Sequence, residues 1–182
     1  RNGIGIMLQN GAAENTFINN TISDSYVGMS FGGARNSYLR NNLLTNNSFN
    51  FAIDGYILEH FMHDIDESNT IDGKPMWYLV NQHNVNVTGE PGCVVVVNST
   101  NITVSDLTVS YSGTGVLLAY SNSSIIENVT AVGNGNGIGL IMSENNTIMN
   151  SNVTNNIQIG IGLMASGGNV LRNNVMKNNT YN

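Results

Sequence analysis

The chain has 182 residues, of which 41% are hydrophobic and only 10% are charged, and its formal net charge at pH 7 is −6. This acidic balance excludes nucleic acid as an expected partner, because binding the phosphate backbone requires a basic surface. The aliphatic content excludes a disordered chain, and no apolar stretch reaches the roughly 18 residues that a membrane-spanning helix needs.

A repeat of 22–24 residues runs along the chain and alternates short aliphatic segments with corners rich in asparagine. Units begin at Gly3 and Val27, and again at Gly115, Gly137 and Gly160. We expect equivalent positions at Ile4, Val27, Phe51, Val116, Ile138 and Ile161. The unit is too short for two helices and lacks helix-forming residues, so it predicts two or three short strands.

Such units predict an all-β fold, namely a right-handed parallel β-helix (a solenoid) of about 7–8 coils that forms a single domain over residues 1–182. The 33 asparagines suit its corners, because Asn and Gly tolerate left-handed backbone geometry. Stacked asparagines can also form a ladder in which each amide bonds to its copies in neighbouring coils. Pairs recur at the right phase: Asn19–Asn20, Asn41–Asn42, Asn155–Asn156 and Asn173–Asn174.

Residues 54–91 break this rhythm and hold all three histidines, the only tryptophan, both prolines and seven of the twelve acids. We interpret this segment as an insertion that enlarges one coil. Asp72-Gly73 is a strong turn pair, so the insertion predicts a hairpin whose second strand is residues 76–80. Just after the insertion, Cys93 stands in an apolar run and is expected to be a buried small hydrophobe.

The insertion contains the candidate metal ligands His60, His63, Asp64 and Asp66. Imidazole and carboxylate together suit zinc or copper, and the carboxylates alone suit calcium. In a strand, however, positions 60 and 63 point to opposite faces. The alternative is structural, with the acids capping turns and pinning the insertion to the coil. We therefore expect no cofactor, with calcium or copper as the alternatives.

Trp77 and Tyr78 are candidate ligand contacts, because aromatic rings stack on sugars. Packing of Trp77 between insertion and coil is the competing interpretation. The regular coils carry few acids and no fixed acidic pair, so no catalytic residue is assigned and a non-catalytic protein is favoured.

Ten Asn-x-Ser/Thr sequons suggest a glycosylated surface protein if the host modifies exported proteins. They lie at Asn19, Asn46, Asn86, Asn98, Asn101, Asn122, Asn128, Asn145, Asn152 and Asn178.

The insertion motif resembles the NosD-like β-helix proteins, which belong with carbohydrate-binding and sugar-hydrolase β-helix domains of microbial envelopes. The matching residues are His63, Ile65, Asp66, Ser68, Asn69, Thr70, Gly73, Lys74, Pro75 and Tyr78. The resemblance implies an exported β-helix at the cell surface or in the periplasm. It also implies a link to copper delivery, which is the role associated with the family's namesake.

Both ends of the chain read as ordinary coil, "RNGIGIML" at the start and "NVMKNNTYN" at the end. A solenoid normally needs caps, so we expect either a longer array or subunits that stack end to end. The first functional hypothesis is a structural surface solenoid whose partner is itself. The second is a domain that binds or acts on surface glycans, and the third is a periplasmic copper-handling protein.

Overall fold

The computed structural model describes residues 2–182 as a parallel β-solenoid of about eight turns, which confirms the predicted fold class. Each complete turn contains one longer strand followed by two short strands of about three residues, and in the regular turns each strand pairs in parallel with its copy in the next turn. The short aliphatic triplets form strands because alternate residues point into the core and stack on the turn below.

The first three turns, residues 2–71, are called the first stack. Its strands are β1 (Asn2–Gln9), β2 (Thr16–Ile18), β3 (Thr21–Ser23), β4 (Ser25–Gly32), β5 (Tyr38–Arg40), β6 (Leu43–Thr45), β7 (Phe49–Asp54), β8 (Asp64–Ile65) and β9 (Thr70–Ile71). A loop between β7 and β8 contains the 3₁₀ turn Leu58–His60. His60 therefore lies outside the strands, so strand geometry does not separate it from His63. Phe61 in this loop is fully buried and closes the core of the first stack.

The chain then reverses in a tight hairpin. Lys74 pairs with Ile71 in antiparallel register across Asp72 and Gly73, and both turn residues have positive φ. This confirms the predicted hairpin, and its second strand extends over Lys74–Val80. The reversal changes the strand direction within one continuous sheet, because β9 and this strand are neighbours there.

The remaining turns, residues 74–182, form the second stack. Its strands are β10 (Lys74–Val80), β11 (Asn86–Val87), β12 (Cys93–Val97), β13 (Thr103–Ser105), β14 (Thr108–Ser110), β15 (Thr114–Ala119), β16 (Ile125–Glu127), β17 (Thr130–Val132), β18 (Asn136–Ile141), β19 (Thr147–Met149), β20 (Asn152–Thr154), β21 (Ile161–Met164), β22 (Val170–Arg172) and β23 (Val175–Lys177). The only helical turn in residues 2–182 is the one at residues 58–60, and no helix there is long and apolar enough to cross a membrane.

One sheet separates two hydrophobic cores. In β12, Val95 and its alternate neighbours pack into the core of the first stack, whereas Val94 and Val96 pack into the core of the second stack. All five residues of β12 are therefore buried. The two stacks lie against each other through this sheet, and residues of the second stack complete the core of the first stack.

The strand register confirms most of the predicted equivalences. Ile4 pairs with Val27, and Val116 pairs with Ile138. The equivalence of Val27 with Phe51 is wrong, because Val27 pairs with Phe49. Phe51 remains buried despite this two-residue difference, since a shift of two keeps a strand residue on the same face.

The two members of each asparagine pair have different roles, one at a corner and the other in the ladder. The first member of each pair, such as Asn41, takes a positive φ at an exposed corner. The second member points inward: Asn42 donates its side-chain amide to Oδ1 of Asn69 at 2.8 Å, and Asn156 accepts at Oδ1 from the side-chain amide of Asn134 at 3.2 Å. The predicted ladder is thus present, and its rungs satisfy buried backbone N–H groups between strands.

Candidate functional site

His63 lies in the core of the first stack and is only 5% exposed. Its Nδ1 accepts a hydrogen bond from the backbone N–H of Ser37 at 3.1 Å, and its Nε2 lies 3.1 Å from the carbonyl oxygen of His60. Its ring packs edge-on against Phe31. Burial lowers the pKa of His63 to about 4, so the ring is neutral at pH 7. Both ring nitrogens are engaged, which leaves neither free to bind a metal.

His60 is held differently, on the half-buried 3₁₀ turn. Its Nδ1 accepts the backbone N–H of Tyr56 at 3.2 Å. The ring lies over Gly55, where an added Cβ would sit 2.3 Å from the Cβ of His60. His60 and His63 are neighbours in space, and the hydrogen bond between them runs from Nε2 of His63 to the backbone carbonyl of His60.

Asp64 and Asp66 both bind Arg40, which lies one turn earlier in the first stack. The guanidinium donates to Asp64 Oδ1 at 2.6 Å and to Asp66 Oδ2 at 2.9 Å. Asp66 also accepts from the backbone N–H of Ser68. We did not predict a role for Arg40 from the sequence. Its position one repeat before the two acids indicates that it lies beside them in the preceding turn.

The structure does not assemble these candidates into a metal centre. Among the described residues, no group of three or more His, Cys, Asp or Glu lies close enough to hold a metal ion. The sulfur-bearing residues Met76 and Cys93 are buried in the core of the first stack. The two acids instead form ion pairs with Arg40 of β5, which hold β8 and the residue after it against the preceding turn.

Trp77 and Tyr78 point to opposite sides of β10. The Tyr78 hydroxyl donates to the Phe61 carbonyl at 2.6 Å, and burial raises its pKa. Trp77 packs instead against the core of the second stack, and its Nε1 is buried without a hydrogen-bond partner. Trp77 also lines an open cavity of about 510 Å³, whose rim carries Asp66 and Glu67. Tyr78 lines this cavity as well, so both aromatic candidates contribute to a cavity wall together with the acids.

Cys93 is 1% exposed, and burial raises the pKa of its thiol to about 12, which confirms its expected role as a small core residue.

The asparagines of the ten sequons lie at the surface, at the corners and edges of the turns. All of them except the half-buried Asn122 are exposed. Several bond to the preceding turn, as Asn98 does when its side-chain amide donates to Asn81 Oδ1 at 2.7 Å. Their modification stays a prediction.

Comparison with known proteins identifies the family. A family model described as periplasmic copper-binding protein (NosD) matches residues 67–182, from the hairpin through the whole second stack. Searches of curated proteins and of solved structures gave no match to the chain. The matched segment covers more than half of the chain and includes the Asp72-Gly73 hairpin as well as the regular turns. The chain therefore belongs to the NosD family.

Proposed function

We propose that the chain is a non-catalytic, exported scaffold of the NosD family, whose last turn stacks on the first turn of a second copy. The observation that carries this proposal is the loss of burial along three inward-facing columns at the last turn. In the first column Leu118 and Leu140 are fully buried, whereas Leu163 is 42% exposed.

The other two columns show the same change. Ile148 is fully buried and its copy Leu171 is 41% exposed, while Val153 is fully buried and its copy Met176 is 36% exposed. The last turn thus presents an apolar layer, called the stacking layer, together with the edges of three parallel sheets. Apolar area of this kind gains about 25 cal/mol per Å² when it is covered.

The first turn of a second copy continues the parallel pattern. It offers Ile4, which is 37% exposed, and the half-buried Phe17. With the repeat continued in register, Lys177 of the last turn falls opposite Ser23 of the first turn, and Asp24 is the next residue, so opposite charges lie near each other. A head-to-tail contact of this kind does not close on itself, so the expected product is a filament.

This proposal assigns the chain no role in copper handling. The family description names copper, yet the candidate ligands His63, Asp64 and Asp66 are bound by protein partners. The asparagine ladder that links neighbouring turns supports the scaffold proposal, as does the description of the family as periplasmic.

Analytical ultracentrifugation and negative-stain microscopy test the proposal with a matched pair of variants. Leu171→Glu with Met176→Glu places two charges in the stacking layer. Val170→Glu with Val175→Glu places the same charges on the same two strands at the neighbouring positions, which alternate to the other face of each strand. We expect concentration-dependent polymers for the wild type and the second variant, and a monomer for the first. A wild type that stays monomeric up to its solubility limit, or that stops at a dimer, contradicts end-to-end stacking and favours the alternative that these turns belong to a longer repeat array.

A further inference from the structure

A second groove runs along the junction of the two stacks, and its lining residues are all different from those of the Trp77 cavity. The junction is closed by backbone hydrogen bonds, in which Asn50 N–H donates to Tyr111 O and Gly113 N–H donates to Phe51 O, each at 2.7 Å. Beside it lie two adjoining cavities of about 610 and 240 Å³, and both are lined by Tyr26 and Phe49. Their combined size falls within the range of small-molecule and oligomer binding sites.

Each stack contributes one exposed tyrosine to this groove. Tyr26 on β4 is 52% exposed, and Tyr111 at a corner of the second stack is 55% exposed. Tyr26 is positioned by the Phe49 ring, whose centroid lies 5.3 Å away in an edge-to-face arrangement.

Tyr111 is held in place by its backbone. Its φ of 57° lies in the left-handed region, and its carbonyl accepts from both the backbone and the side chain of Asn50. One turn later the residue is Gly133, where an added Cβ would lie 3.4 Å from the Tyr111 ring. Both rings are therefore exposed and positioned before any ligand arrives, which reduces the entropy cost of binding.

Polar side chains line both cavities. Asp72 is fixed by the backbone N–H of Asn46 at 2.9 Å and by the amide of Asn50 at 3.0 Å. Asp54 and Gln158 line the second cavity, and their exposed side-chain polar atoms make no hydrogen bond within the described residues. The groove thus combines exposed aromatic faces with hydrogen-bonding groups spaced along its length.

We propose that this groove binds a neutral glycan chain. The C–H faces of sugar rings stack on Tyr26 and Tyr111, and sugar hydroxyls donate to carboxylates and also accept from amides and phenols. Two cavities that share Tyr26 and Phe49 in their walls suit several linked sugar units rather than one. The two carboxylates and the net charge of −6 disfavour uronic acids and sulfated sugars. This site is separate from the stacking layer and does not rest on the proposed assembly.

Calorimetric titration of the full chain tests the proposal with maltohexaose, cellohexaose and chitohexaose as neutral ligands and hexagalacturonate as the acidic one. We expect at least one neutral ligand to bind more tightly than hexagalacturonate. Removing both rings in Tyr26→Ala with Tyr111→Ala weakens binding at least about tenfold. Tyr26→Phe with Tyr111→Phe keeps most of the affinity, because the stacking faces remain.

The control is Tyr56→Ala, which removes a tyrosine that is 77% exposed but lies outside both cavities. Thermal unfolding of each variant confirms that it is folded before titration, and Gln158→Ala provides a second test on an exposed side chain. The proposal is overturned if no neutral hexasaccharide binds, or if the tyrosine-to-alanine pair leaves the affinity unchanged. Binding of a proline-rich peptide through the same tyrosines, without glycan binding, also overturns it.

Discussion

The backbone N–H of Ser37 donates to Nδ1 of His63 in the next turn, at a distance of 3.1 Å. Elsewhere the acceptor in this arrangement is an asparagine or serine oxygen, as where the N–H of Asn42 meets Oδ1 of Asn69. His63 is therefore a rung of a ladder column. Because Nδ1 accepts, the ring proton sits on Nε2, which donates to the His60 carbonyl.

Stability is expected to fall as the pH drops from about 6.5 towards 4. The folded-state pKa of His63 is about 4, below its value of about 6.5 in the unfolded chain, so the unfolded state binds the extra proton first. The contribution is fully present above pH 6.5 and is lost as the pH falls to the folded pKa, with a total of about 3 kcal/mol. Chemical denaturation across this pH range measures it.

The His63→Asn variant isolates this effect. Asparagine restores an acceptor for the Ser37 N–H but does not titrate, so the difference between variant and wild type should vary with pH only in that window. A constant difference across the whole range would show that His63 does not control the pH dependence.

Loss of a ladder rung is expected to be costly. Asn146 is fully buried, accepts from the Ser124 N–H at 2.8 Å and donates to the Ser121 carbonyl at 3.0 Å. Asn146→Ala leaves these buried groups unpaired and should lower the free energy of unfolding by about 2–3 kcal/mol. Asn152→Ala, at an exposed strand position, should change it by less than about 0.5 kcal/mol. Equal effects of the two substitutions in urea unfolding would refute a special role for the ladder.

Two glycines in the same strand are expected to respond differently to alanine. A Cβ at Gly137 would lie 2.2 Å from a Val153 methyl and 2.7 Å from the Gly160 carbonyl oxygen, whereas a Cβ at Gly139 meets only side-chain atoms at 3.3 Å. Gly137→Ala should destabilise by about 3 kcal/mol through forced separation of the turns. Gly139→Ala should shift stability by less than about 1 kcal/mol. Thermal melts of both variants provide the comparison.

Cys93 is expected to resist thiol reagents in the folded protein. Burial raises its pKa to about 12, so almost no thiolate exists at pH 8 and the sulfur is shielded as well. Labelling with a chromogenic disulfide should therefore proceed only as fast as the protein opens, and become complete in denaturant. Immediate labelling of native protein would contradict the buried placement.

Chelators are expected to leave the melting temperature unchanged. Arg40 forms ion pairs with both Asp64 and Asp66, and His63 is bound through both ring nitrogens, so we expect the fold not to depend on a metal at these residues. A melting temperature that falls in EDTA and returns on adding copper would show that these side chains rearrange into a metal site.

The sequence by itself determined the turns. Each repeat meets nearly the same neighbours above and below, so a local pattern of aliphatic residues, corner asparagines and ladder asparagines is enough to predict strand, corner and rung. The hairpin at Asp72 and Gly73 was predictable for the same reason, since its turn chemistry is local.

Only the tertiary structure decided how the two stacks meet. The run of valines in β12 indicated burial, but not that its two faces serve different cores. The same contact brings Tyr111 beside Asn50, 61 positions earlier in the chain, and so creates the groove that contains Tyr26. Such contacts depend on the direction in which the second stack leaves the hairpin, and the repeat pattern is the same for either direction.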